Sequence, residues 1–335
     1  MKVSVVGSGS WGTALALLLL ENGNDVTMWS YTQKQSDVLK CTGENPLLKG
    51  VRLPQELKFT TDLSCVKGCK VVILATPSFA VRETARQMAP LLDSGTTVVL
   101  VSKGIEKDTA LTLTQVVEQE IGPQCPVVVL CGPSHAEEVG RGVPTAVVSA
   151  SKDRKAAELV QDLFINDRFR VYASDDVIGV EMGAAFKNVI ALCAGCIDGM
   201  GYGDNTKAML MTRGLSEIAR LVVAMGGKRE TVAGLAGVGD LIVTCCSMHS
   251  RNRRCGILIG QGVPVEQALN EAGGVVEGYF AAANAKKLAD KLGVEMPISQ
   301  AAYEVLYENK DPRAVINELM AREKKYETEI SWVNQ

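Results

Sequence analysis

The chain has 335 residues, of which 47% are hydrophobic and 22% charged. This composition is typical of globular proteins and excludes disordered and collagen-like chains, and the length suits one large domain or two ordinary ones. A formal net charge of -3 gives no overall positive field, so we expect neither nucleic acid nor an anionic membrane as a partner.

The first half of the chain alternates between short apolar strands and helices. The pattern predicts strands at 3–6, 26–29, 71–75, 97–101, 127–130, 145–149 and 169–172. It predicts helices at 10–21, 79–92, 108–121 and 152–164. Such alternation with short connections predicts an α/β fold, a doubly wound (Rossmann-like), mostly parallel sheet with helices on both faces.

The second half of the chain changes to helical periodicity with few strand signals. Helices are predicted at 177–200, 207–225, 254–260, 265–271, 277–292, 298–308 and 312–325. We therefore expect an all-helical C-terminal domain after the sheet. The predicted division is a dinucleotide-binding domain at 1–174 and a helical substrate-binding and catalytic domain at 175–335.

The ten cysteines lie in apolar or mixed runs, and the chain has only two histidines. With no secretory leader recognised, we expect reduced, buried thiols in a cytoplasmic protein. The pair Cys193 and Cys196 falls inside an apolar helical run, so core packing is favoured over metal binding and no metal is predicted. No apolar run is expected to approach the ~20 residues of a membrane span, so membrane insertion is not predicted.

A glycine-rich turn follows the first strand and opens the first helix, with the sequence Gly7-Ser8-Gly9-Ser10-Trp11-Gly12. It fits G-x-G-x-x-G, and this strand-turn-helix context makes the match informative. Gly7 permits the tight turn, Gly9 lets the backbone approach a pyrophosphate, and Gly12 lets the helix pack closely on the strand. The helix N-terminus then offers its N–H groups to the phosphates. The alternative is a purely structural glycine turn.

The end of the second strand carries no carboxylate between Ser30 and Lys34. An acidic residue there would accept hydrogen bonds from the adenosine ribose, and its absence removes the repulsion against a 2′-phosphate. Lys34 would add a favourable charge, and Tyr31 would stack on adenine. We therefore predict a preference for NADP(H), with NAD(H) as the alternative; Lys34 as an ordinary surface lysine is the other interpretation.

Polar residues after two further strands are candidates for substrate contact. Lys103 follows one strand, and Gly132 to Ala136 follow the next. In a doubly wound sheet, ligands bind beyond the carboxyl ends of the strands, so Lys103 is placed to reach substrate.

Lys187 and Asn188 interrupt a run of small and apolar residues in a predicted helix. A lysine is rarely buried without a partner, so we interpret Lys187 as a desolvated acid/base whose pKa is lowered toward the working range. A snorkelling lysine at a helix end is the alternative. Asp240, predicted to lie in a glycine-rich loop, is a candidate to orient Lys187.

The segment around Ser250 has the features of a phosphate site. Ser250 is a good N-cap for a helix beginning near Arg251, with Asn252 beside it. A helix N-terminus with arginine and asparagine favours bound phosphate. A solvated basic helix start is the alternative.

These motifs together resemble the NAD(P)-dependent glycerol-3-phosphate dehydrogenases of the bacterial type, over essentially the whole chain. The matching segments occur in the family's order at 7–12, 102–104, 132–133, 187–188, 239–240, 250–254 and 276–279. The Lys-Asn pair alone is shared with a wider group of dehydrogenases, whereas Ser-Arg-Asn-Arg-Arg followed by Val-Glu-Gly-Tyr is much more specific.

The resemblance implies roles for the matching residues. It implies Lys187 as general acid/base, with Thr244 near it. It implies a substrate site formed by Lys103, Gly132, Ser134, Lys187, Asp240, Ser250, Arg251 and Asn252. It implies a cofactor site formed by Gly7, Gly9, Ser10, Trp11, Gly12, Tyr31, Lys103, Ala136, Arg251, Val275 and Glu277.

The function implied is interconversion of dihydroxyacetone phosphate and sn-glycerol 3-phosphate with NAD(P)H, supplying phospholipid synthesis. The expected partner is a small phosphate ester, and the apolar helical faces favour a homodimer. Two alternatives remain open: a related dehydrogenase acting on another hydroxyacid, and a non-enzymatic dinucleotide sensor. The sensor is disfavoured because it needs no desolvated lysine facing the nicotinamide.

Overall fold

A computed structural model describes residues 1–107, 109–324 and 326–327 of the chain. Its first half contains eight strands in one sheet, β1 (Lys2–Val6), β2 (Asp25–Trp29), β3 (Lys58–Thr60), β4 (Val71–Leu74), β5 (Thr97–Leu100), β6 (Val127–Cys131), β7 (Thr145–Ala150) and β8 (Phe169–Ser174). Their spatial order is β3-β2-β1-β4-β5-β6-β7-β8. The inner strands are apolar because both faces of the sheet are covered by helices.

The sheet is parallel except between β6 and β7, where Cys131 pairs with Val148. The chain moves outward from β1 in one direction through β2 and β3, and in the other from β4 to β8. The order therefore reverses between β1 and β4, which is the point where such folds bind ligands. This confirms the predicted doubly wound, mostly parallel fold.

Six helices accompany the sheet: α1 (Ser10–Glu21), α2 (Gln33–Thr42), α3 (Val81–Met88), α4 (Leu113–Ile121), α5 (Ala136–Val139) and α6 (Arg154–Phe164). The described part of the second half adds nine α-helices: α7 (Val177–Gly199), α8 (Asp204–Ala224), α9 (Arg229–Val232), α10 (Asp240–Cys246), α11 (Arg251–Gly260), α12 (Val265–Glu271), α13 (Glu277–Leu292), α14 (Pro297–Tyr307) and α15 (Pro312–Met320). No strand is assigned among the described residues after 174, so the predicted helical second half is confirmed.

Helix α7 is the central element of the helical half and packs against α8, α10, α11 and α13. Its contact with α11 is backbone to backbone. A Cβ added at Gly195 would lie 2.0 Å from the carbonyl oxygen of Arg253, and one at Gly256 would lie 2.0 Å from that of Leu192. This close packing buries almost every side chain of α7, including polar ones.

The expectation that no apolar run reaches membrane-spanning length was wrong for α7. By length and composition this 23-residue helix is apolar enough to cross a membrane, and the bent pair Arg229–Cys246 with α11 passes the same test together. The most apolar window of α7 is 89% buried inside the protein. Its apolar character is therefore accounted for by packing at the centre of the helical half.

Several predicted boundaries were also wrong. The helix expected at 108–121 begins at Leu113, because Thr112 caps it with its side chain; Asp108 lies outside the described residues. The helix expected at 79–92 is α3 flanked by short 3-10 turns. The last helix ends at Met320 rather than Lys325, which also lies outside the described residues.

Candidate active site

The glycine turn between β1 and α1 is tightly packed on one side and open on the other. Gly7 has a φ of +126°, and a Cβ there would lie 2.5 Å from the carbonyl oxygen of Ala75. A Cβ on Gly12 would lie 2.2 Å from the Gly7 carbonyl oxygen. A Cβ on Gly9 would meet nothing within 4 Å. Only the Gly9 side of the turn therefore leaves space for a ligand against the backbone.

The residues around this space are suited to a dinucleotide. Helix α1 begins at Ser10 with no side-chain cap at Gly9, so its first N–H groups are available to phosphate oxygens. Trp11 Nε1 and Thr76 Oγ1 are buried and have no hydrogen-bond partner among the described residues. An open backbone cradle, an uncapped helix start and unpaired polar atoms together fit the pyrophosphate region of a nicotinamide dinucleotide.

Tyr31 and Lys34 follow the end of β2, where the adenosine ribose of a dinucleotide would bind. Tyr31 is 80% exposed, and its ring meets Trp29 edge-on with centroids 6.1 Å apart. Lys34 is exposed in the first turn of α2, and Thr32 caps that helix. Both predicted residues are therefore accessible to a ligand, and the capping shows that this segment is helical rather than a loop.

Lys187 lies in the middle of α7 with its side chain only 6% exposed. Its Nζ donates to Asp240 Oδ1 at 2.9 Å and to Thr244 Oγ1 at 2.5 Å. Burial lowers the pKa of Lys187 below its ordinary value; Asp240 acts in the opposite direction, and the nearby Lys103 adds to the lowering. The snorkelling alternative is excluded by this geometry, because the ammonium is inside the protein.

Asp240, in the helical half, binds one lysine from each half of the chain. Its Oδ2 accepts a hydrogen bond from Lys103 Nζ at 2.8 Å, while its Oδ1 faces Lys187. Lys103 also donates to the carbonyl oxygen of Gly132 at 3.1 Å. Burial opposes ionisation of Asp240, but the two lysines outweigh it and hold the pKa of its carboxyl below the ordinary value.

The same carboxylate acts to raise the pKa of both lysines, but its effect outweighs burial only at Lys103. Burial acts to lower the pKa of Lys103, but Asp240 outweighs it and the pKa is raised. One buried carboxylate is thus shared by a lysine with a raised pKa and a lysine with a lowered pKa. Paired groups with opposite shifts are typical of acid/base sites.

Asp240 was predicted to lie in a glycine-rich loop, and this was wrong. It is the first residue of α10, directly after a π-helical turn at Leu235–Gly239. In this position the backbone and carboxylate of Asp240 both contact Thr244, one helical turn away in α10. The carboxylate is therefore held in a rigid element facing Lys187.

The predicted phosphate-binding segment forms the start of α11. Ser250 caps the helix by accepting a hydrogen bond from the Arg253 N–H at 3.2 Å, and Arg251 is exposed. Asn252 is buried, donating to Asn188 Oδ1 at 2.9 Å and accepting from the Gly278 N–H at 2.8 Å. The side chain of Asn252 therefore also links α7, α11 and α13.

Glu277 begins α13 and contacts the 3-10 turn that follows β4. Its carboxylate accepts from Ser78 Oγ at 2.9 and 3.1 Å, and burial raises its pKa, against the effects of Ser78 and Arg251. The neighbouring Val275 is partly buried. Ser78 was not identified from the sequence; its only signal was its place after a strand at the ligand-binding edge.

The loop after β6 carries the remaining predicted residues. Ser134 Oγ donates to the Gly132 carbonyl oxygen at 3.1 Å, and Ala136 is buried at the start of α5. Cys131, at the end of β6, lies with its Sγ 3.8 Å from Asp240 Oδ2 and was not identified as part of the site. Burial raises the pKa of this thiol to about 11, so it is protonated beside the carboxylate.

The cysteines differ in part from the prediction that all are buried thiols. All ten cysteines are free, but Cys41 and Cys246 are exposed rather than buried. Among the residues the structure describes, no group of three or more His, Cys, Asp or Glu side chains is arranged to hold a metal ion.

Two family models match the chain in succession. The N-terminus of the NAD-dependent glycerol-3-phosphate dehydrogenases matches residues 2–157, and their C-terminus matches residues 176–317. Together the matches include the glycine turn and the Lys187–Asp240 pair.

Relatives of similar length carry the name of the same family. A glycerol-3-phosphate dehydrogenase [NAD(P)+] of Agathobacter rectalis is 50% identical over 334 residues, covering 99% of each chain. One from Bacillus subtilis is 49% identical, covering 98% of this chain and 96% of its own. The crystal structure of glycerol-3-phosphate dehydrogenase from Coxiella burnetii is 40% identical, with a TM-score of 0.91, covering 96% of this chain and 98% of its own. The chain therefore belongs to the NAD-dependent glycerol-3-phosphate dehydrogenase family.

Proposed function

We propose that the protein interconverts dihydroxyacetone phosphate and sn-glycerol 3-phosphate, with Lys187 as the proton donor and acceptor. The observation that carries this proposal is the buried side chain of Lys187, held 2.9 Å from Asp240, whose other oxygen accepts a hydrogen bond from Lys103 in the segment after β5. A hydride-transfer enzyme needs such a group where charge develops on a substrate oxygen.

In the reductive direction, Lys187 neutralises the oxygen at C2. Bound NAD(P)H supplies the hydride that reduces this carbon. Protonated Lys187 donates a hydrogen bond to the ketone oxygen and transfers its proton as that oxygen becomes negative. Asp240 holds the ammonium in place, and Lys103 adds positive charge on the other side of the same carboxylate. In the oxidative direction, neutral Lys187 accepts the proton.

The phosphate is proposed to bind at the start of α11. The N–H groups of this helix and the exposed guanidinium of Arg251 are suited to an anion. Binding there would hold C2 against Lys187 and use the phosphate's interactions to orient the reacting carbon. Gly132, Ser134, Ser250 and Asn252 are proposed to line the same site.

The cofactor is proposed to lie along the glycine turn, against Ser10, Trp11 and Ala136, and to end near Val275 and Glu277. Tyr31 and Lys34 are proposed to favour NADP(H) over NAD(H), since both are exposed where a 2′-phosphate would lie. Lys34→Ala should lower kcat/KM with NADPH while leaving that with NADH unchanged. Equal losses with both cofactors would show that Lys34 does not read the 2′-phosphate.

Replacement of Lys187 tests the central role. Lys187→Ala should abolish turnover and leave NADPH binding largely intact, as measured by rates with dihydroxyacetone phosphate and by fluorescence titration of the cofactor. Lys187→Met is the matched control for the cavity, because it fills the space of the lysine stem without the ammonium. Near-normal turnover in either folded variant would remove Lys187 from the mechanism.

The remaining proposals concern the domain boundary, the oligomeric state, the cellular location and the metabolic role of the protein. We propose a boundary between 174 and 175, where β8 ends and the segment leading to α7 begins. We propose a homodimer formed through the helical half, where Val223 and Ile242 are exposed; light scattering giving the mass of one chain would contradict it. We also propose a cytoplasmic location without membrane insertion and a role in supplying glycerol 3-phosphate for phospholipids.

A further inference from the structure

The two histidines of the chain come together at the candidate site. His135 lies in the loop between β6 and α5, and His249 directly precedes the cap of α11. Their ring centroids are 5.7 Å apart, with an angle of 53° between the planes. The pair therefore joins the sheet-edge loop of the first half to the proposed phosphate-binding helix of the second.

The loop that carries His135 is fixed next to the paired lysines. Its Gly132 carbonyl accepts from Lys103, and Pro133 lies near Gly239, where an added Cβ would be 3.5 Å from the Pro133 ring. Gly239 immediately precedes Asp240. The position of the imidazole beside the acid/base cluster is thus set by contacts on both sides of the loop.

His135 Nε2 is buried and has no hydrogen-bond partner among the residues that the structure describes. A buried polar atom without a partner is costly and is typical of a site completed by a ligand. Burial, with Lys187 and Lys103, lowers the pKa of His135; Glu137 and the Val243 carbonyl act in the opposite direction. The lowered pKa favours the neutral ring, which suits an uncharged hydrogen-bonding group.

One polar group of the substrate, its free terminal hydroxyl, has not been assigned a hydrogen-bond partner in the proposed site. Dihydroxyacetone phosphate carries a phosphate, a ketone oxygen and a free hydroxyl on its other terminal carbon. The phosphate is assigned to the start of α11 and the ketone oxygen to Lys187. The terminal hydroxyl is uncharged and must lie within a few ångströms of C2, and therefore of the lysine cluster.

We propose that His135 Nε2 hydrogen-bonds the free terminal hydroxyl of the substrate and so determines specificity for a hydroxymethyl ketone. This inference rests on the proposed function. His249 has a different role. Its ring packs on the His135 ring and holds that ring in place without contacting the substrate hydroxyl.

The test compares two substrates that differ only in this hydroxyl. Dihydroxyacetone phosphate and hydroxyacetone phosphate, which has a methyl group in its place, are assayed with wild type, His135→Phe and His135→Leu. The wild type should prefer dihydroxyacetone phosphate in kcat/KM by about 10-fold, the contribution of one neutral hydrogen bond in a buried site. In the His135 variants the ratio of kcat/KM values should fall to about 1, because the partner of the hydroxyl has been removed.

His249→Phe is the matched control, since it keeps an aromatic ring at the other position of the pair. It should retain the wild-type preference. A full preference in either folded His135 variant, or none in the wild type, overturns the inference. If the wild type does not oxidise NADPH or NADH with dihydroxyacetone phosphate, the proposed function itself fails, and the two failures are therefore distinguishable.

Discussion

Asp240→Asn removes the one carboxylate shared by Lys187 and Lys103 while keeping the size of the side chain. The two ammonium groups lie 2.9 and 2.8 Å from its oxygens, and Asp240 itself is 1% exposed. An ion pair of about 4 Å between charge centres is worth about 4 kcal/mol at an effective permittivity of about 20. Removing one partner of a buried pair typically costs about 3–5 kcal/mol, because the other charge remains buried.

The substitution should therefore change the protonation of Lys187. The carboxylate acts to raise the pKa of this lysine, whereas burial and Lys103 act to lower it. Without the carboxylate, the pKa falls further below its ordinary value. In the proposed mechanism reduction of the ketone uses the Lys187 ammonium, so its rate should fall by about 10²–10⁴-fold, the typical contribution of a positioned acid. The loss should grow as the pH rises, because less of the lysine is then protonated.

Initial rates in both directions, followed across the neutral and alkaline range, measure this effect. The upper limb of the pH profile for reduction should move to lower pH in Asp240→Asn. Thr244→Val is the control: it removes the hydroxyl 2.5 Å from Lys187 but leaves the carboxylate, so the limb should move much less. An unchanged pH profile and a wild-type reduction rate in Asp240→Asn would refute the electrostatic argument.

Two further predictions concern the turn and a buried cap. Gly9→Ala should leave the free energy of unfolding within about 0.5 kcal/mol of wild type, because its methyl group enters open space. It should weaken NADPH binding, because that space is the one proposed for the cofactor. Gly12→Ala should instead destabilise the fold, since its Cβ would lie 2.2 Å from the Gly7 carbonyl oxygen. Thermal unfolding and cofactor titration separate the two, and equal stability would contradict the packing argument. Glu217→Gln should cost about 1–3 kcal/mol in urea unfolding, because its amide N–H₂ must face the N–H groups now bound by the carboxylate, including that of Ser299 at 3.1 Å. An unchanged midpoint would mean that the carboxylate does not cap α14.

The sequence was most informative where one local rule dominates. The apolar runs of β4 and β5 predicted buried parallel strands, and the G-x-G-x-x-G turn predicted the start of α1 within one residue. Helix α2 was missed because its sequence is mostly polar and only Ser36 and Leu39 are buried. Its evidence was the capping pair of Thr32 and Gln35, which needs no apolar stripe.

The site was predictable in its residue types and in the pairing of Lys187 with Asp240, but not in its contacts between the two halves. A lysine in the apolar run of α7 predicted desolvation of Lys187. Nothing in one sequence indicates that Lys103 and Lys187 meet at the same carboxylate, because this contact depends on how the two halves pack. The contact of Ser78 with Glu277 was missed for the same reason.

The contacts between the two halves also set the electrostatic environment of Lys187, the proposed acid/base. Lys187 and Asp240 belong to the helical half, and on their own they would form a simple buried ion pair. Lys103 comes from the end of β5 and engages the second oxygen of Asp240, so the carboxylate is divided between two cations. Burial lowers the pKa of Lys187, the attraction of the carboxylate opposes this, and repulsion from Lys103 adds to the lowering. A change in the distance between Lys103 and Asp240 would therefore alter the acidity of Lys187.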